Sequence, residues 1–355
     1  MNYRWSINYI ESLLRHGIKL GLDRVQKLLA ALDNPQTKFP SVLIAGTNGK
    51  GSVAKTLEIL LSSPGRSIGL FTSPHMMDTT ERIRSEGRDL TQDEFVACFE
   101  AVEAYADGLS HFEILTLMMA EAFFGGRVRR VVDFAILEVG VGGRLDPTRS
   151  FPHAVSVVTR IGLDHEELLG STLTAIAREK MAIVDPGNDV VVAPLASEAL
   201  VAFDERRSQT SANYLLVPEV SFRVEHGGRE PKWILRTPWG EAPLALKGRR
   251  AAENSTLALH ALAALGDDAA SALPRLAEIE WPCRMEGYEI EGRHVYLSGD
   301  HNAQGAASLV EILGEFDRRC VHFLVGLGRN KRIDDFMQEL ATVEGAKFHL
   351  TRTPF

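Results

Sequence analysis

The segment that most narrows the fold is Gly46-Thr47-Asn48-Gly49-Lys50-Gly51-Ser52. It stands between a short apolar run, Val42 to Ala45, and residues at helical spacing, Val53, Leu57, Leu60 and Leu61. A strand, a tight glycine turn and a helix in that order belong to α/β architecture and form the context a phosphate-binding loop requires. Glycines let backbone N–H groups turn inward toward phosphate oxygens, and the helix amino terminus adds the positive end of its dipole. Lys50 can then bridge terminal phosphates, and the Ser52 hydroxyl can hold Mg²⁺. The loop is shorter than the usual spacing and has an extra glycine between lysine and serine. Taken alone, it also fits a glycine-rich turn beside a surface lysine.

The rest of the chain continues the alternation. Two amphipathic helices are expected before the loop, with apolar positions at Ile7, Ile10, Leu13 and Leu14 and at Leu22, Val25, Leu28, Leu29 and Leu32. After it come a strand around Ser67 to Phe71, helices around Gln92 to Tyr105 and Phe112 to Phe124, and strands at Val131 to Glu138 and Ala154 to Thr159. A helix around Leu173 to Ile183 and a strand at Asp189 to Ala193 complete a mostly parallel sheet with covering helices. Val220 to Leu246 alternates apolar and polar residues as a β-hairpin region does, and a helix around Asn254 to Leu265 follows. Trp281-Pro282 reads as a boundary, because a fresh set of signals begins there: Arg293 to Leu297, Ala306 to Phe316, Val321 to Val325, Ile333 to Leu340 and Lys347 to Leu350. The expected domains are residues 1–282, a central unit built on the phosphate loop, and 283–355, a smaller α/β unit.

At 355 residues the chain suits two domains. Its apolar fraction of 45% contains no run near the roughly 18 residues of a membrane span, and Met1 to Ile10 lacks the features of a leader, so a cytoplasmic protein is expected. The net charge of -8 provides no general pull toward nucleic acid or anionic lipid, so anionic ligands need a local site. Cys98, Cys283 and Cys320 are far apart, offer no zinc set and read as packing residues.

Several blocks together resemble the folylpolyglutamate synthases of the Mur ligase superfamily. They are Gly21 to Val25, Asn34-Pro35-Gln36, Gly46 to Ser52, Thr72-Ser73-Pro74-His75, Glu81-Arg82-Ile83-Arg84, Leu137 to Asp146, Leu163-Asp164-His165, Arg178-Glu179-Lys180 and Asn254. The resemblance spans nearly the whole chain. It implies a central ATPase domain with a smaller, Rossmann-like carboxy-terminal domain. The implied activity is that of an ATP-dependent ligase that joins L-glutamate to dihydropteroate or a reduced folate through an acyl phosphate, with ATP and two Mg²⁺ ions. Thr47, Asn48, Gly49, Lys50, Gly51 and Ser52 would hold the nucleotide phosphates. Ser52, Glu138 and His165 would hold metal, and Ser73 and His75 would contact the pterin side. By the same resemblance Lys180 would be a carbamate, Asn254 would contact the nucleotide, and Arg284 and His301 would approach the phosphates. Lys50, His165 and Lys180 are the expected catalytic residues, and a monomer is expected.

The residues themselves bear on these roles. Glu138 ends a strand at the carboxyl edge of the sheet, where open α/β sheets bind ligands, and its carboxylate is a hard donor suited to Mg²⁺. A lone histidine such as His165 is more often a hydrogen-bonded core residue, and Lys180 has the plain alternative of a helix-surface lysine paired with Glu179. Arg284 fits an interdomain salt bridge equally well.

Departures from the family pattern occur at Pro147-Thr148-Arg149 for Ala-Thr-Asn, at Arg250-Ala251 for His-Gln, and at Ser298 to Ala303 for Asp-Gly-Ala-His-Asn-Pro. The chain ends at Thr353-Pro354-Phe355, where the family continues, so an incomplete second sheet is expected. Two other readings stand beside the folate ligase: a Mur-type ligase with another carboxylate acceptor, and a non-catalytic ATP-binding relative.

Overall fold

The computed structural model describes residues 2–17, 21–126, 128–228, 230–317, 320–328 and 332–351, so the chain end at Thr353-Pro354-Phe355 lies outside the described residues. Helices α1 (Tyr3–Ser12) and α2 (Asp23–Ala31) precede β1 (Ser41–Ala45), which runs through the glycine loop into α3 (Lys50–Leu61). Next come β2 (Ile68–Phe71), the short antiparallel strands β3 (Ile83–Ser85) and β4 (Arg88–Asp89), and helices α4 (Gln92–Val102) and α5 (His111–Ala120). Strands β5 (Phe134–Glu138) and β6 (Val155–Val158), helices α6 (Glu166–Leu169) and α7 (Leu173–Met181), then β7 (Asp189–Val192), α8 (Ser197–Gln209) and β8 (Asn213–Leu216) complete one sheet.

That sheet has eight strands in the order β4-β3-β2-β5-β1-β6-β7-β8, parallel from β2 to β8. β1 and β5 are buried at every position, as strands covered on both faces must be. Their apolar runs were therefore legible without alternation. Central β1 lies between β5 and β6, so the loop that follows it opens at the carboxyl edge of the sheet with neighbours on both sides. The main core gathers Leu43, Phe71, Phe95, Phe99, Phe123 and Leu137 from the sheet and the helices that cover it.

The remaining elements are β9 (Ser221–Glu225), β10 (Lys232–Thr237), β11 (Gly240–Leu244), α9 (Gly248–Ala264), α10 (Ala269–Ala272), β12 (Arg284–Ile290), β13 (Arg293–Ser298), α11 (Ala303–Gly314), β14 (His322–Val325), α12 (Ile333–Leu340) and β15 (Lys347–Leu350). The hairpin region is a three-stranded antiparallel sheet, β9-β10-β11. β12 pairs with β13 antiparallel and β14 with β15 parallel.

The chain forms two compact units, residues 1–218 with 257–272 and residues 219–256 with 273–355, so the division differs from the boundary read at Trp281-Pro282. The reason is packing: Trp233 of the three-stranded sheet forms a buried cluster with Met285 and Ile312, which ties residues 219–256 to the later elements. Helix α9 starts at Gly248, six residues before the expected start at Asn254. Several elements were not expected from the sequence, among them the short β3 and β4, β12, α8 and β8. Helix α8 buries only Ala199, Ala202 and Phe203, and the edge strand β8 has no fully buried residue. Cys98 is buried as a packing residue would be, whereas Cys320 is exposed, because it lies just before β14 and outside any core. Among the described residues no helix is long and apolar enough to cross a membrane.

Candidate active site

Gly46 leaves β1 with φ near 150°, and the loop ends at Gly49 with φ near 92°, both in the region glycine tolerates. A Cβ on Gly46 would stand 1.8 Å from Thr159 Oγ1, so the first glycine allows the loop to press against the residue that continues β6. Thr159 donates its hydroxyl to the Asn48 carbonyl at 2.8 Å. Thr47 donates its N–H to the Arg160 carbonyl at 2.9 Å and its hydroxyl to the Gly162 carbonyl at 2.9 Å. The loop is thus clamped from the β6 side. No side chain caps the start of α3, where Gly49 is the cap residue, so its first N–H groups remain available to an anion.

Lys50 folds back over the loop, its Nζ donating to the Gly46 carbonyl at 3.2 Å and to the Thr47 carbonyl at 3.3 Å, and standing 4.0 Å from Glu138 Oε1. Glu138, 3% exposed at the end of β5, accepts the Ser73 N–H at 3.0 Å. Ser73 follows β2, so three neighbouring strand ends converge here. The buried Ser52 hydroxyl makes no hydrogen bond among the described residues. An unpartnered hydroxyl and a buried carboxylate are oxygen donors of the type Mg²⁺ takes, and they fit that ion. Among the described residues no group of three or more His, Cys, Asp or Glu side chains could hold a metal, so a cation at this site would draw further oxygens from phosphate or water.

Lys180 is not the surface lysine of the plain alternative. Glu179 pairs with Arg144 instead, while Lys180 is 4% exposed and donates from Nζ to the Gly46 carbonyl at 2.9 Å. α7 comes this close because Gly143 lacks a side chain, whose Cβ would lie 2.7 Å from the Glu179 carbonyl. Burial, reinforced by the Lys50 charge, pulls Lys180 down to about 7 from its usual 10.5. The unfolded chain then binds a proton that the folded chain lacks between pH 7 and 10.5. Stability attributable to this residue therefore rises with pH across that window, and the full penalty applies below 7. In CO₂-depleted buffer, Lys180→Met should be most stable relative to the unaltered protein near pH 6. Its advantage should shrink by up to about 1.4 kcal/mol per pH unit toward pH 10, as read by urea unfolding. A pH-independent difference would refute the assignment.

Asp146, fully enclosed, accepts the N–H groups of Gly140 and Val141, each at 3.0 Å, and so shapes the glycine loop that follows Glu138. Arg149, which stands where the family has asparagine, turns to the Asp185 carboxylate and the Ala182 carbonyl. His165 has φ near 50° and receives its own orientation from Asp164, whose Oδ1 accepts the His165 N–H at 3.0 Å. His75 Nδ1 accepts from Arg82 Nε at 2.9 Å. Asn254, Arg284 and His301 belong to the second unit, where Arg284 donates to the Cys283 carbonyl at 3.3 Å and His301 Nδ1 lies 3.0 Å from the Gly299 carbonyl. Thr159, Asp164 and Arg82 were not singled out from sequence, although the last two lie inside quoted motifs. A charged residue immediately before a strand, as Arg82 is before β3, was the available signal.

A clamped glycine loop between a buried strand and a helix, with lysine and carboxylate facing it, defines a phosphate-loop α/β protein. No family model matches the chain. A probable dihydrofolate synthetase from Schizosaccharomyces pombe is 31% identical over 347 residues, covering 91% of this chain and 80% of the relative. A folylpolyglutamate synthase structure from Mycobacterium tuberculosis, complexed with ADP and AMPPCP, aligns with a TM-score of 0.87 at 29% identity, covering 99% of this chain and 84% of that one. The chain belongs to the folylpolyglutamate synthase and dihydrofolate synthase family. A probable bifunctional folylpolyglutamate synthase/dihydropteroate synthase from Haloferax volcanii is 31% identical over 372 residues and 99% of this chain, which spans 44% of that relative's length.

Proposed function

We propose that the protein is an ATP-dependent ligase that adds L-glutamate to dihydropteroate or to a reduced folate. The observation that carries this reading is the convergence of Lys50, Glu138, Ser73 and Lys180 on the loop at Gly46, in a chain whose relatives bear these activities in their names. A carboxylate does not condense with an amine in water until its oxygen becomes a good leaving group. Transfer of the γ-phosphoryl group of ATP to that oxygen gives an acyl phosphate and ADP. The glutamate amine then attacks the carbonyl carbon, the C–O bond to phosphate breaks, and the amine proton is released.

In this mechanism the loop N–H groups and Lys50 hold the phosphates in place and offset charge on the transferring group, since phosphoryl transfer depends chiefly on positioning and electrostatics. Ser52 and Glu138 would hold Mg²⁺ and His165 a second ion, which would supply charge neutralisation. Lys180 is the residue for a carbamate. Its burial and its pKa of about 7 favour the neutral amine that adds to CO₂, with loss of one proton. Asp146 and Thr159 hold the loops that carry these groups.

Purified protein incubated with ATP, Mg²⁺, glutamate and either dihydropteroate or tetrahydrofolate should release phosphate and yield a product heavier by one glutamyl residue. Phosphate release that is absent with both pterins but restored by a different carboxylic acid would point to another substrate acid. Nucleotide binding without phosphate release on any acid supplied would identify a non-catalytic relative.

A further inference from the structure

The segment joining β2 to β3 is fixed from several sides. Thr72 donates its N–H to the Arg82 carbonyl at 3.0 Å. Glu81 accepts the N–H groups of Met76 and Met77 at 2.8 Å each and of Asp78 at 2.7 Å, and Asp78 in turn accepts the Tyr3 hydroxyl. Both Glu81 oxygens are therefore committed to backbone, and Glu81 makes no hydrogen bond to the adjacent Arg82.

Arg82 uses one of its five donors, Nε–H, on His75 Nδ1 at 2.9 Å. Its two terminal amino groups make no hydrogen bond among the described residues, although the side chain is partly buried. A guanidinium drawn out of water with its fork unsatisfied is costly unless a ligand completes it. Burial lowers Arg82 to about 10, with Glu138 the largest opposing charge, so it stays cationic at neutral pH. Burial, then the Arg82 charge, lowers His75, and the same causes lower His111 at the start of α5 to about 4. Both imidazoles are consequently neutral at pH 7, and the His111 side chain makes no hydrogen bond among the described residues. The cluster thus presents one positive fork, opposed most strongly by the charge of Glu138, which itself lies 4.0 Å from Lys50.

We propose that Arg82 receives, through its terminal amino groups, the pterin-substrate carboxylate that becomes the acyl phosphate, with His75 fixing the plane of the guanidinium and His111 flanking it. This rests on the functional reading above and assigns that carboxylate to a residue. A carboxylate brought beside a triphosphate meets like charge. Lys50 and the metal are engaged with phosphate, so a separate cation must hold the incoming acid. An arginine fork suits a carboxylate because two parallel N–H groups meet its two oxygens.

The test compares dihydropteroate with its methyl ester, each titrated onto the full chain with AMPPCP and Mg²⁺ present. The unaltered protein should bind the ester about 10- to 100-fold more weakly than the acid, the range of a charged hydrogen-bonded contact. In Arg82→Gln the acid should bind as weakly as the ester, and ester and nucleotide affinities should stay as in the unaltered protein. Arg82→Lys keeps the charge without the fork and should show a penalty reduced several-fold. That variant decides the question if the glutamine variant does not fold. An undiminished ester penalty in a folded variant overturns this inference alone. Failure of the unaltered, nucleotide-bound protein to bind the acid overturns the functional reading and this inference with it.

Discussion

Lys50→Ala is expected to lower ATP-dependent phosphate release by about 10²- to 10³-fold, the cost of removing one preorganised group that meets charge developing in a transition state. The ammonium is held in place before any ligand arrives. Two carbonyls of its own loop, Gly46 and Thr47, accept from it at 3.2 and 3.3 Å, and Glu138 Oε1 lies 4.0 Å away. The group therefore stands over the loop without reorganising, and its loss should fall on kcat more than on the KM for the acceptor. Lys50→Arg should not restore the rate, because a planar guanidinium cannot occupy the position of a compact ammonium. Lys50 also lowers the pKa of Lys180, so the alanine variant should move that titration upward. Steady-state phosphate release, with an unchanged melting temperature as a control for folding, decides the matter. A rate within about threefold of the unaltered enzyme would remove this loop from the chemistry.

Gly46→Ala should be the most damaging single methyl added to the first unit, at about 2–5 kcal/mol of folding stability. Two causes act together. The new Cβ would lie 1.8 Å from Thr159 Oγ1 and 2.9 Å from Thr159 Cβ, and a φ near 150° is strained for any residue with a side chain. Displacing Thr159 would also break its bond to the Asn48 carbonyl, so the phosphate loop loses its brace as well. Gly46→Ala/Thr159→Gly should recover the steric part and leave the backbone part. Gly314→Ala, with nothing within 4 Å of the added carbon, should change stability by less than about 1 kcal/mol and serves as the control. Urea unfolding of the three variants separates these contributions. Equal stability of Gly46→Ala and the unaltered protein would refute the packing described around β1.

Particular residues show why some features could be read from sequence and others could not. The strands β1 and β5 were legible because an unbroken apolar run between turn residues has few alternatives. α8 was not, since three small or aromatic contacts at Ala199, Ala202 and Phe203 are too sparse to stand out against a polar helix. The grouping of residues 219–256 with the later elements depends on Trp233 meeting Met285 and Ile312, which lie 52 and 79 positions further along the chain. Arg149 stood out from sequence as a departure from the family pattern, and only its contact with Asp185 shows where the longer side chain goes.

Sequence alone determined the strand, glycine turn and helix around Lys50, because those depend on local conformational freedom and local burial. Tertiary structure decided which groups face that turn. Sheet order places the end of β5 beside β1 and that of β2 beside β5, and so brings Glu138 to the loop that begins at Gly46, with Ser73 bonded to it. Lys180 arrives from α7 and is buried against the Gly46 carbonyl. Its neighbours in sequence could not reveal this, because burial and charge at a side chain are set by whatever packs against it, at any distance along the chain.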